Sequence, residues 1–191
     1  MTPMQASENL STKINNLRNF IYIIAIGIFT TFCSCGDSVE PLTLVTVERN
    51  FEIPGNLNTI ETHFFELKNI PVLLDQNLAI YNRTVEDVVN INPDVAVLTS
   101  AFNNIDWTFI QRVEIFAVSR LNNTNKVRMF QSNEPDFGDR SQLGLFNTFV
   151  DVKEIFKEGL IDLEIRIKTR AFVPTNINAK LTFTYAIFDE I

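Results

Sequence analysis

From Leu163 to Val173 the chain alternates with a period of two. Leu163, Ile165, Ile167, Thr169, Ala171 and Val173 are separated by charged neighbours at Glu164, Arg166, Lys168 and Arg170. Only an extended strand puts every second side chain on the same face, so this stretch must be a strand with one dry and one wet side. After a turn-rich interval from Pro174 to Asn178, the residues Leu181, Phe183, Tyr185 and Ile187 repeat the pattern. Both strands need a partner layer to cover their dry faces, which makes a packed sheet structure the starting expectation.

The rest of the chain from Leu42 reads the same way. Strand-forming runs lie at Leu42–Ile53, Ile60–Leu67, Val95–Phe102 and Lys126–Gln131, and Val113–Ser119 is apolar on both faces like a central strand. Pro54-Gly55-Asn56 and Leu121–Asn125 carry turn chemistry, the second joining a hairpin. Thr84 opens a short helix that Asn92-Pro93 should close, Ile105–Ile110 fits one helical turn, and Leu73–Tyr81 is ambiguous. Asp151–Glu154 has the spacing of a capping box, with Gly159 where that helix would end. The longest loop-like stretch is 132–144. The expected fold is therefore all-β: an antiparallel β-sandwich of seven or more strands, with an immunoglobulin-like arrangement as one form of it, and one or two short helices. A content of 17 Phe against 6 Gly fits packed sheets better than a loop-built phosphate cradle.

A different signal precedes this domain. Phe20–Phe32 is uncharged for 13 residues and follows Lys13 and Arg18. As a helix it would cover roughly 20 Å, too short for a hydrocarbon core of roughly 30 Å, so it reads as the apolar core of a signal peptide. The polar stretch before it is long, and Met4 is a second candidate start. The run ends in Phe32-Cys33-Ser34-Cys35-Gly36-Asp37. This resembles the lipobox of bacterial lipoproteins, in which a large apolar residue and two small ones precede the acylated cysteine. The resemblance implies cleavage between Ser34 and Cys35 and acylation (palmitate among the chains) of Cys35, with Phe32 and Cys33 as departures from the commoner residues. Cys33 fits less well as the modified residue, because bulky Phe32 would then occupy the small-residue position.

That resemblance divides the chain into a signal helix at 1–34, a lipidated tether at 35–41 and a single β-sandwich domain at 42–191. Gly36 follows the cysteine, where Asp would imply inner-membrane retention in enteric bacteria, so the expected location is the outer membrane. The Asn-, Ile-, Lys- and Phe-leaning composition is similar to that of Bacteroidota lipoproteins. In that group an acidic cluster after the cysteine implies surface display. Asp37 and Glu40 are a diluted version, leaving the periplasmic and surface faces both open. Asp37-Ser38-Val39 matches the same group's O-glycosylation tripeptide, which makes Ser38 a candidate site.

Charge and residue types then narrow the chemistry. The net charge is −7; Lys13, Arg18 and Glu8 give the leader +1, leaving −8 for the remainder. With no run of Lys or Arg, nucleic acid is a poor partner. Both cysteines precede the domain, which therefore has no thiol for disulfide, metal or nucleophilic chemistry. A single histidine, His63, lies in a strand with no Gly-x-Ser-x-Gly turn anywhere to serve, and it reads as a packed or surface residue. Neither a metal nor a cofactor is expected. The loop Asn133–Asp139 carries three carboxylates but lacks the acidic spacing of a calcium loop. Glu114, Glu164, Asp136 and Asp139 are the carboxylates a hydrolase would have to use. Trp107 and Phe172 are candidate partner contacts, Phe172 because it is out of phase with its strand's apolar side. Arg166, Lys168 and Arg170 form a basic stripe, read most simply as a wet strand face. The leading expectation is a non-enzymatic module that binds or scaffolds an envelope protein, held to membrane lipid through Cys35. A surface glycan-binding module is the alternative, and a carboxylate hydrolase comes third.

Overall fold

The computed structural model describes residues 40–102, 105–133, 141–173 and 175–189. The expected leader, Ser34, Cys35 and Ser38 lie outside the described residues, as do Asp136 and Asp139. Eight strands are found among the described residues: β1 (Thr43–Ile53), β2 (Thr62–Pro71), β3 (Val88–Ser100), β4 (Ile110–Val118), β5 (Lys126–Asn133), β6 (Gln142–Asn147), β7 (Leu160–Thr169) and β8 (Ile177–Asp189). Each pairing is antiparallel, in the order β1-β8-β3-β6-β5-β4-β7-β2.

This order is an all-β sandwich bent at one strand. β6 pairs with β3 over Ala96–Thr99 but meets β5 only at Phe130 and Gln131. A first sheet, β1-β8-β3-β6, therefore faces a second, β5-β4-β7-β2. The topology is that of an eight-stranded jelly roll. An immunoglobulin-like sandwich groups its strands as ABED and CFG. Here the first and last strands are neighbours, from Thr43 opposite Ile187 to Ile53 opposite Ile177, so the immunoglobulin-like form is corrected.

The core lies between the two inner faces. β7 buries Ile161, Leu163, Ile165 and Ile167, and β8 buries Leu181, Phe183, Tyr185 and Ile187. Phe130 of β5 meets Phe183 of β8 with ring centres 6.1 Å apart, joining the sheets at mid-height. The edge strands also approach each other, since the rings of Phe51 in β1 and Phe65 in β2 are 5.7 Å apart. Tyr185 stands edge-on to Phe156 at 4.9 Å and donates its hydroxyl to the Val72 carbonyl. Burial raises the pKa of that phenol well above its ordinary value.

Three local expectations need correction or completion. The helix expected from Thr84 is only a 3₁₀ turn, Val85–Asp87, and β3 then runs straight through Asn92-Pro93. Pro93 is tolerated because the register shifts between Pro93 and Ala96. There the Thr184 hydroxyl accepts from the Val95 N–H at 3.1 Å and donates to Asp94 Oδ2 at 3.1 Å, filling the gap in the ladder. The ambiguous Leu73–Tyr81 contains α1 (Leu74–Ile80), which buries Leu74 and Leu78 one turn apart. Finally, β7 stops at Thr169 rather than Val173. Arg170 turns away, its N–H donating to Phe109 O at 2.8 Å and its guanidinium to Ile110 O at 2.9 and 3.0 Å.

The expected helix after Asp151 is present as α2 (Lys153–Phe156), although Val152 occupies the cap position. Asp151 Oδ1 still accepts from the N–H groups of Lys153, at 2.9 Å, and Ile91, at 3.0 Å. The carboxylate thus covers part of β3 that β6 does not reach. Gly159 has φ +74, a conformation that other residues adopt only with strain.

Candidate binding face

Because β7 buries its odd-numbered residues, the even-numbered ones form the outer face of the second sheet. The register lines them up with their neighbours in rows across the strands. Thr62, Lys168 and Arg112 make one row; Phe64, Arg166, Glu114 and Gln131 the next; Glu66, Glu164, Phe116 and Arg128 the third. Asp162, Val118 and Lys126 follow.

The middle of this face is built around Arg166. Its Cζ lies 4.2 Å from the centre of the Phe116 ring and 5.4 Å from that of Phe64, so the guanidinium is held by two rings from flanking strands. Phe64 is 61% exposed, leaving most of its ring open to solvent. Arg166 also binds Glu164, whose Oε1 is 2.5 Å from Nη2, and Lys126 approaches Glu164 at 3.4 Å. Diagonally across two rows, Arg128 pairs with Glu114 at 2.8 Å. Beside these pairs is a hollow of about 170 Å³ lined by Glu66, Lys68, Val118, Asn123, Asp162 and Glu164. Its acidic and basic groups can accept and donate hydrogen bonds within one small space.

Burial alone would raise the pKa of Glu164, but the hydrogen bonds and charges of Arg166 and Lys126 outweigh it and hold the value below 4.5. A general acid in glycoside hydrolysis needs the opposite shift. A carboxylate whose folded pKa is lowered adds stability that is present above its unfolded value and is lost as the pH falls through the folded value. Glu164→Gln should therefore be less stable than the unsubstituted chain at pH 7. The difference should shrink as the pH drops below 4.5. Urea unfolding at a series of pH values measures the gap, and a gap that widens on acidification would refute the ion-pair account.

The other residues singled out from the sequence fall in different places. Trp107 is corrected as a surface contact: it is 1% exposed, packs on Phe109 at 5.9 Å and donates Nε1–H to Ser141 O at 3.2 Å. A ring that large contributes more in the core than in water. Phe172 is 71% exposed in the loop after β7. His63 is half-buried, and its Nε2 donates to the Asn58 carbonyl at 2.8 Å. Arg170 leaves the basic stripe for Ile110, whereas Arg166 and Lys168 stay on the outer face. Among the described residues no group of three or more His, Cys, Asp or Glu could hold a metal ion, and no helix is long and apolar enough to cross a membrane.

Phe64, Phe116, Lys126 and Arg128 did not stand out in the sequence reading. One signal was available, because Phe64-Phe65 within a strand must send one ring to each side. The lateral grouping came only with the strand order.

No family model matches the chain, and no curated protein matches it. Among solved structures it is similar to the cyanophage Pam1 capsid asymmetric unit, at 13% identity and TM-score 0.39, covering 81% of this chain and 91% of that one. It is also similar to a xylan-binding module, CBM15, at 12% identity and TM-score 0.37, covering 78% and 99%. A third is CBM32-3 from a family 31 glycoside hydrolase of Clostridium perfringens, at 5% identity and TM-score 0.33, covering 79% and 90%.

Proposed function

We propose that this chain is a lipid-anchored envelope protein whose jelly-roll domain is a non-enzymatic saccharide-binding module. Support for the anchor comes from the lipobox-like Phe32–Cys35 alone. The binding reading rests on the open Phe64 ring beside Arg166 and the polar hollow, an arrangement that offers a sugar an apolar face to stack on and hydrogen bonds for its hydroxyls. Protein interfaces are depleted of Lys, Glu and Asp at their centres. Glu66, Lys68, Asp162, Glu164 and Lys126 therefore make this face a poor protein contact and a good match for hydroxyls.

A glycan array probed with the detergent-solubilised full chain tests the reading. Phe64→Ala should weaken saccharide binding about tenfold, equivalent to about 1.4 kcal/mol, without changing the far-UV spectrum of the fold. If the array retains nothing, or if the variant binds as well as the unsubstituted chain, the reading fails.

The protein-partner reading has one observation in its favour. Ile60, Phe102 and Phe172 are exposed on loops that follow β1, β3 and β7, which all end at the same end of the domain. Apolar groups left in water there suit a protein contact better than the charged face does.

A further inference from the structure

We infer that the saccharide is acidic, and that Arg112 and Lys168 receive its anionic oxygens. This rests on the saccharide reading of the same face and adds the charge of the ligand. The chain as a whole is acidic, at −7. The outer face of the second sheet reverses that balance. Among the described residues it carries six cations, Lys68, Arg112, Lys126, Arg128, Arg166 and Lys168, against four carboxylates, Glu66, Glu114, Asp162 and Glu164.

The surplus is concentrated at one end. Arg112 and Lys168 occupy directly opposite positions on β4 and β7. Like charges placed opposite one another on neighbouring strands destabilise a sheet unless something neutralises them. The other like-charged pair on this face, Glu66 opposite Glu164, is neutralised within the protein: Lys68 lies 3.2 Å from Glu66, and Arg166 and Lys126 lie 2.5 and 3.4 Å from Glu164. Among the described residues, the Arg112–Lys168 pair has only one weaker ionic contact. Arg112 Nε is 4.0 Å from Glu114, whose other oxygen is taken by Arg128 at 2.8 Å, and the Lys168 ammonium donates to the neutral carbonyl of Ile60. A carboxylate or sulfate held between these two side chains would supply the missing charge. Phe64 sits on the adjacent row, within reach of the same ligand.

The test compares matched polymers. Polygalacturonate, hyaluronate and alginate are each presented beside their carboxyl-reduced neutral forms, and dextran sulfate beside dextran, to the detergent-solubilised full chain. Carboxylate arms that bind alone, or a sulfate arm that binds alone, identify which anion is taken. At least one acidic polymer should bind about tenfold or more tightly than its neutral form, with a preference that falls as salt is added. The double variant Arg112→Gln, Lys168→Gln should lose that preference. Lys180→Gln, on the first sheet, should keep it, and circular dichroism confirms that each variant is folded. Equal binding of acidic and neutral forms would overturn the acidic ligand while leaving the saccharide reading standing. A preference that survives in the double variant would overturn these two residues as its source. Failure to bind either form of any polymer would overturn the saccharide reading, and this inference with it.

Discussion

Alanine in place of Tyr185 is expected to destabilise the domain by about 3–5 kcal/mol, the range for losing a large buried ring. The side chain is fully buried in the strand between β1 and β3, edge-on to Phe156, with its hydroxyl on the Val72 carbonyl. Truncation removes that packing and leaves an orphaned carbonyl where α1 begins. For a domain of this size the loss corresponds to a fall in Tm on the order of 10 °C. Thermal unfolding followed by near-UV circular dichroism would measure it. Tyr185→Phe isolates the hydrogen bond and should cost about 1–3 kcal/mol. A Tyr185→Ala protein that melts within a degree or two of the unsubstituted one would show that this packing is not what holds the sheets together. The phenol also sets an alkaline limit. Because burial raises its folded pKa above the ordinary 10.0, its contribution is complete below pH 10 and declines as the pH climbs toward the folded value.

The second large effect concerns attachment. Cys35→Ala should abolish acylation completely and leave an uncleaved precursor. A single myristoyl chain gives only marginal binding, at about 0.8 kcal/mol per buried CH₂. Two or three long chains multiply this to tens of kcal/mol, which makes acylated attachment effectively permanent. Membrane fractionation and intact-mass measurement of the unsubstituted chain and the variant give the answer. A variant that is processed and retained as before would refute the anchor, as would a purified protein whose N-terminus carries no acyl mass. Neither outcome bears on the saccharide-binding face, which can be tested separately.

Fold class was legible because it depends on local alternation. The pattern from Leu163 to Ile167 placed each side chain of β7 on its observed face before any partner was known. Where local and non-local demands diverged, the sequence was ambiguous. Thr84 and Pro93 both suggested a short helix, yet Val88–Ser100 gains more by pairing with β8 over nearly its whole length, and a register shift absorbs the proline. Trp107 looked available for binding because composition does not say which rings the core will use, and the loop between β3 and β4 folds it inward. The candidate face was hidden for a related reason. Arg166 was visible as part of a stripe, but its ring partners Phe64 and Phe116 come from strands more than 40 residues away on the same side in sequence. Only the order of the strands makes them neighbours.

The pairing of β1 with β8 has a consequence for how the chain reaches its final form. The last long strand is inserted between the first strand and the third, so the earlier residues cannot close their sheet until residues 177–189 arrive. Contacts this far apart along the polypeptide slow the search for the native state. A chain threaded through a translocation pore N-terminus first would thus stay unlocked during transit and snap shut only once its tail had emerged.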